Sequence, residues 1–212
     1  MGQYYRPIVL KQNWKEEEQP IAGTLSPYDY DNGAKLMEHS YVGNDFVKAA
    51  MRMIELIGQG KAVPFVWCGD YADPVDTLNH PVTKDENGNL VGGIDLYSCA
   101  YEWIGDDKDS KEYEDLKKAL QHISIYKKCY IINETKKQFV RIPKFDKDKW
   151  LIHPLPILCA DGNGRGGGDY GYYATANMKL VGTWAHDEIR LAEKKADTEG
   201  YEDCGWIPEC EE

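Results

Sequence analysis

Cys159 to Tyr173, CADGNGRGGGDYGYY, puts an acid, an amide, an arginine and a run of glycines in front of a tyrosine cluster. Glycine-rich backbone can turn several N–H groups toward one anion. Arg165 adds a planar fork suited to phosphate or carboxylate. The candidate ligand-binding residues are therefore Asp161, Asn163, Gly164, Arg165, Gly166, Gly167, Asp169 and Tyr170. The glycine N–H groups and Arg165 would contact the anion, and Asp161 and Asn163 would fix the loop or accept ligand hydrogen bonds. Tyr170, Tyr172 and Tyr173 would stack on a ring or a partner surface. Gly162, Gly164 and Gly167 satisfy GxGxxG, but a dinucleotide site needs a helix directly after the glycines. DYGYYATAN has no helical period, which rules out that fingerprint. The competing reading is a slack turn whose glycines only permit positive φ.

WCGDYADP, from Trp67 to Pro74, is the second stretch. A strand ending in GDxxD is how two-metal phosphoesterases present a bridging aspartate, with Asp70 as ligand and Asp73 as support. The Asp-x-His and Gly-Asn-His-Glu partners of such a site are missing, and both aspartates also suit a strand-to-loop turn. Counting by twos puts His153 with Leu151, Leu155 and Ile157 on one strand face, and His186 with Trp184, Glu188 and Arg190 on another. If those strands pair across the glycine loop, the two imidazoles approach each other near Asp161, Asp169 and Asp187. The catalytic candidates are then Asp70, His153, Asp161 and His186, acting as an acid–base or metal cluster. No cofactor is evident, and a divalent ion is the one this set would use. His39 is followed at the HExxH spacing by Gly43, so it makes no zinc helix and suits a helix C-terminus.

The elements that must position these residues follow from pattern. YYRPIVLK and PIAGTLS read as a hairpin, with Pro7 pushing the first strand to an edge or strand start. AKLMEHSY reads as a short helix. Asn44 caps DFVKAAMRMIELIGQG, whose only polar stripe is Lys48, Arg52 and Glu55, which makes it the central core helix. KAVPFVWCGDY is a buried strand, followed by a long loop from Pro74 to Gly93 with a tight turn at ENGN. IDLYSCAYEWI fits strand or helix. Asp109 caps SKEYEDLKKALQHI, and KKCYIINETKKQFVRIPKF is the clearest hairpin. KWLIHPLPILCAD and KLVGTWAHDEIRLAEK read as two further strands. The sum is an α+β fold with a mainly antiparallel sheet, built from hairpins and covered by two or three helices on one side. Residues 1–192 form the domain and 193–212 an acidic tail that Trp206 and Ile207 can anchor.

The chain of 212 residues carries a net charge of -11, which excludes general binding to nucleic-acid phosphates. The six cysteines, Cys68, Cys99, Cys129, Cys159, Cys204 and Cys210, form no CxxC pair and no zinc spacing with the histidines. No signal-peptide pattern opens the chain and no apolar run reaches membrane-spanning length. The expectation is a reduced, cytoplasmic protein that engages no membrane.

MGQYYRP, YDYDNGAKLMEHSYVGNDFV, WCGDYAD, IHPLPILCADGNGRGGGDY and VGTWAHD together resemble a family of small uncharacterised proteins of bacterial genomes and their phages. The resemblance covers most of residues 1–190 and carries over no residue role. It implies an accessory gene on a mobile element, a class that often encodes small binding or inhibitory proteins. The reading that results is an accessory protein binding an anionic small molecule, such as a nucleotide, at the mouth between WCGDYAD and the glycine loop. The alternatives are a metal-dependent phosphoester or nucleotide hydrolase and an acidic inhibitor that occupies a basic protein partner.

Overall fold

β1 (Tyr5–Leu10) and β2 (Ile21–Thr24) pair antiparallel, as the opening hairpin pattern predicts. The computed structural model describes residues 3–105, 110–162, 170 and 176–208. Val9 opposes Gly23 while Leu10 opposes Ile21, so Ala22 is an extra, bulged residue. The bulge lets Leu10 and Ile21 face one side of the sheet while Val9 faces the other. β1 is not the edge strand its proline predicts, because β3 (Val63–Gly69) pairs along its other side. Pro7 is tolerated there because the β1–β2 ladder ends at Ile8 and Thr24, and the Thr24 hydroxyl donates to the Pro7 carbonyl at 2.9 Å.

The segment expected as a long loop carries a small separate hairpin, β4 (Val82–Lys84) with β5 (Leu90–Gly92). Its turn is held by Asp85, which accepts from the backbone of Asn87 and Asn89. β6 (Tyr130–Asn133) and β7 (Gln138–Arg141) form the predicted second hairpin. With β8 (Ala160–Asp161), β9 (Glu188–Ala192) and β10 (Glu202–Asp203) the main sheet runs β10-β7-β6-β9-β3-β1-β2, with β8 also paired to β3. Among the described strands only β3–β8 and β7–β10 are parallel. The fold is thus α+β with a mainly antiparallel sheet.

Helix α1 (Leu36–His39) is a single turn. Asn44 caps α2 (Asp45–Gly58) as predicted, its side-chain oxygen accepting from the N–H groups of Phe46 and Val47. Phe46, Val47, Ala50, Met51, Met53 and Ile54 are buried, and Lys48, Arg52 and Glu55 form the outer stripe. The ambiguous IDLYSCAYEWI is helix α3 (Leu96–Ile104), capped by Asp95. Leu96, Ala100 and Ile104 repeat every four residues and are its buried positions. α4 (Lys111–Leu120) is capped by Ser110, while the predicted cap, Asp109, lies outside the described residues. α2 lies on one face of the sheet with α4 beside it. The structure adds cover on the opposite face, where Leu96 and Ala100 of α3 pack with Ile8, Leu10, Val66 and Cys68.

Two predicted strands need correction. KWLIHPLPILCAD holds helix α5 (Pro154–Leu158) and only a two-residue strand, β8. Pro154 and Pro156 fall in the first turn of α5, where no intrahelical N–H partner is needed, so prolines that break a strand are compatible with this helix. KLVGTWAHDEIRLAEK is strand only over β9, with turns from residue 181 to 187 before it. The acidic tail adds β10 to the sheet edge and buries Trp206 in the core. Among the described residues no helix is long and apolar enough to cross a membrane.

Candidate functional site

One edge of β3 is shared end to end by two other segments. Val63 and Pro64 pair with β9, Phe65 bonds residues 186 and 187, and Trp67 and Cys68 pair with β8. β9 runs antiparallel to β3 and β8 parallel to it, so the chain forks between them. At this fork His186 Nε2–H donates to Asp161 Oδ2 at 2.7 Å. His186 is held in the left-handed region at φ 65° by its own N–H bond to the Phe65 carbonyl at 2.9 Å. For a residue with a Cβ this conformation costs on the order of 1 kcal/mol and persists only where the surroundings impose it. The imidazole stacks on Trp14 at 5.9 Å, and its Nδ1 is buried with no hydrogen-bond partner.

Register extends the site sideways. Arg6 pairs with Cys68 across β1–β3, and Cys68 pairs with Asp161 across β3–β8. A cation, a thiol and a carboxylate therefore lie in one row on one face, with Arg6 and Asp161 roughly 10 Å apart by two strand spacings. Arg6 is buried and hydrogen-bonds Tyr97, and among the described residues its Nε and Nη1 have no partner. Its guanidinium lies over the rings of Tyr97 at 4.5 Å and Tyr101 at 5.2 Å. Burial pushes the Cys68 thiol well up, Asp161, Asp95 and Asp70 push it further, and Arg6 opposes them. Cys68 is thus held as a neutral thiol and is no nucleophile.

The structure brings together two of the four catalytic candidates, Asp161 and His186. Asp70 closes the end of β3: its Oδ1 accepts the Tyr4 N–H at 3.0 Å and its own N–H donates to the Tyr4 carbonyl. Asp70 thereby ties the end of β3 to the residue before β1. His153 does not join His186, because its chain is a helix entry and not a strand. Its Nδ1 caps α5 by accepting from Leu155 N–H at 3.2 Å, and complete burial pushes its pKa down to about 3. Asp187 also turns away, bonding Asn133 at 2.8 Å and the Lys136 ammonium. Among the described residues no three His, Cys, Asp or Glu side chains converge as metal ligands.

Of the predicted ligand-binding residues, Asp161 stands at the fork. Asn163, Gly164, Arg165, Gly166, Gly167 and Asp169 lie outside the described residues, as do Tyr172 and Tyr173. Tyr170 is corrected: it is fully buried in the main core cluster, so its ring packs inside and is not offered to a ligand. The flanks of the glycine segment are fixed. A Cβ on Gly162 would lie against the Gln3 amide and the Tyr5 hydroxyl, so a larger residue there would have to displace those side chains. Buried Asn177 exchanges two hydrogen bonds with the Ile207 backbone, at 2.7 and 2.9 Å. Arg6, Trp14, Gln3 and Tyr5 escaped the sequence reading, because only register across distant strands brings them to Asp161.

Comparison with protein-family models, with curated proteins and with solved structures finds no match.

Proposed function

We propose that the chain is an accessory binding protein that takes an anionic small molecule, such as a nucleotide, at the fork beside Asp161 and His186. The observation that carries this reading is Arg6, a buried guanidinium with two unpartnered nitrogens, in register across β3 from the Asp161–His186 pair. Arg6 hydrogen-bonds Tyr97, but two of its buried N–H-bearing nitrogens are left without an acceptor among the described residues, a cost that an anion near them would offset. In this reading Arg165 and the glycine N–H groups would contact the anion. Binding is favoured over hydrolysis because His186 Nδ1, the nitrogen left to take a substrate proton, is covered. A divalent-metal hydrolase would draw its remaining ligands from beyond Asp161 and His186, and an inhibitor of a basic partner would need neither.

The test is thermal denaturation with ATP, GTP, cyclic AMP or inorganic phosphate. At a hundredfold excess over Kd a ligand adds about 2.7 kcal/mol, which for a chain of this size is a rise of roughly 5–10 °C. Arg165→Ala should remove that rise and leave the unliganded Tm nearly unchanged. Equal stabilisation of wild type and variant would exclude the site.

A further inference from the structure

A cavity away from the fork carries an inference of its own. It lies between the start of α2 and the turn 124–128, and measures about 620 Å³. Its walls include Val47, Met51, Ile125, Ile142 and Phe145. A volume of this order, mostly apolar and with a few convergent polar groups, is the usual form of a small-molecule site.

Two polar groups in the walls lack partners. His153 is 3% exposed and lines the cavity. Its Nδ1 is committed as the acceptor for Leu155, so the ring proton sits on Nε2, where no described residue bonds it. Arg52 also lines the cavity, and its Nε is buried with no hydrogen-bond partner among the described residues. The other cations in the lining are already paired, Lys48 with Asp45 at 2.8 Å and Lys128 with Glu55 at 2.9 Å. Among the described residues Arg52 has no carboxylate within ion-pair distance. The cavity also abuts the first turn of α2, the positive end of that helix.

We propose that this cavity binds an anionic amphiphile, a carboxylate on an apolar chain or ring, with Arg52 and the His153 Nε2–H meeting the carboxylate and the apolar walls enclosing the rest. Neither polar group suits a cationic or purely apolar ligand, since one is a fixed positive charge and the other is a donor whose acceptor nitrogen is already used. Phe145 forms the outer wall, with its ring against Gly43, where a Cβ would lie 2.5 Å from it.

The experiment is calorimetric titration of the full chain with decanoate and with decanol, its neutral counterpart. Wild type should bind one decanoate per chain, at least tenfold more tightly than decanol. Arg52→Met, which keeps the apolar stem, should bring the two affinities within twofold and leave decanol unchanged. His153→Asn, whose side-chain oxygen still caps α5, should weaken decanoate alone. Ile125→Trp, at the partly exposed rim, should block both ligands without changing the circular dichroism of the fold. Absence of saturable decanoate binding, uptake of several equivalents, or a decanoate preference that survives Arg52→Met would each overturn the proposal.

Discussion

His39 donates from Nδ1 to the Gly33 carbonyl at 3.0 Å and accepts the Trp67 indole N–H on Nε2 at 2.9 Å. Both ring nitrogens are used, so the neutral ring fits and a second proton has no acceptor. Burial pushes the pKa of His39 down to about 4 and that of His153 to about 3. In the unfolded chain each would titrate near about 6.5. Their folded pKa values are depressed, so below about 6.5 the unfolded state binds protons that the fold refuses. Stability is therefore complete above that pH and falls as pH drops toward 4, by up to about 1.4 kcal/mol per pH unit for each histidine. Urea denaturation between pH 7.5 and 5 should show a plateau and then this decline. His39→Gln should lower the plateau and remove about half of the decline between pH 6 and 5. A profile equally steep in wild type and variant would mean that His39 is not held neutral.

The first turn of α2 shows how one side chain joins two elements. Asn44 Oδ1 caps the helix, and its Nδ2 donates to Asn32 Oδ1 at 2.6 Å. Asn44→Ala should therefore cost about 2 kcal/mol, the upper end of the range for a cap. Asn44→Asp, which keeps the acceptor and loses the donor, should cost less; equal losses in urea denaturation would mean that the Asn32 bond contributes nothing. Asn44, the apolar face of α2 and the β6–β7 hairpin were legible in sequence because each is a local signal, a cap, a 3.6-residue period or a two-residue alternation. α5 was not legible, since an apolar run holding Pro154 and Pro156 reads as a strand by alternation and as a helix only by where the prolines sit in its first turn. The same error placed His153 beside His186, from which the helix separates it. The Asp161–His186 contact was half legible: residue types and the glycine segment pointed there, but Arg6, Trp14 and Tyr97 reach the site only through tertiary register.

Across the whole molecule the tail is tied to the sheet by more than β10. The Tyr201 hydroxyl bonds Glu134 at 2.7 and 2.8 Å, and Arg190 Nε bonds the same carboxylate at 2.6 Å. Burial opposes ionisation of Glu134, but hydrogen bonds from Lys137, Arg190 and Tyr201 outweigh it and hold the pKa down at about 2. Trp206 packs into the core beyond that network. Trp206→Ala should cost about 3 kcal/mol, as for other buried aromatics, and a loss under about 1 kcal/mol in urea denaturation would show the tail to be dispensable. The central claim concerns where an anion sits on this scaffold. Amide hydrogen exchange of the full chain, with and without saturating ATP, reads that position directly. The account predicts slowed exchange in peptides holding residues 4–7, 67–70, 159–162 and 184–187, with α3 following through Arg6 and Tyr97. Protection confined to other parts of the sheet, or none at saturation, would contradict it.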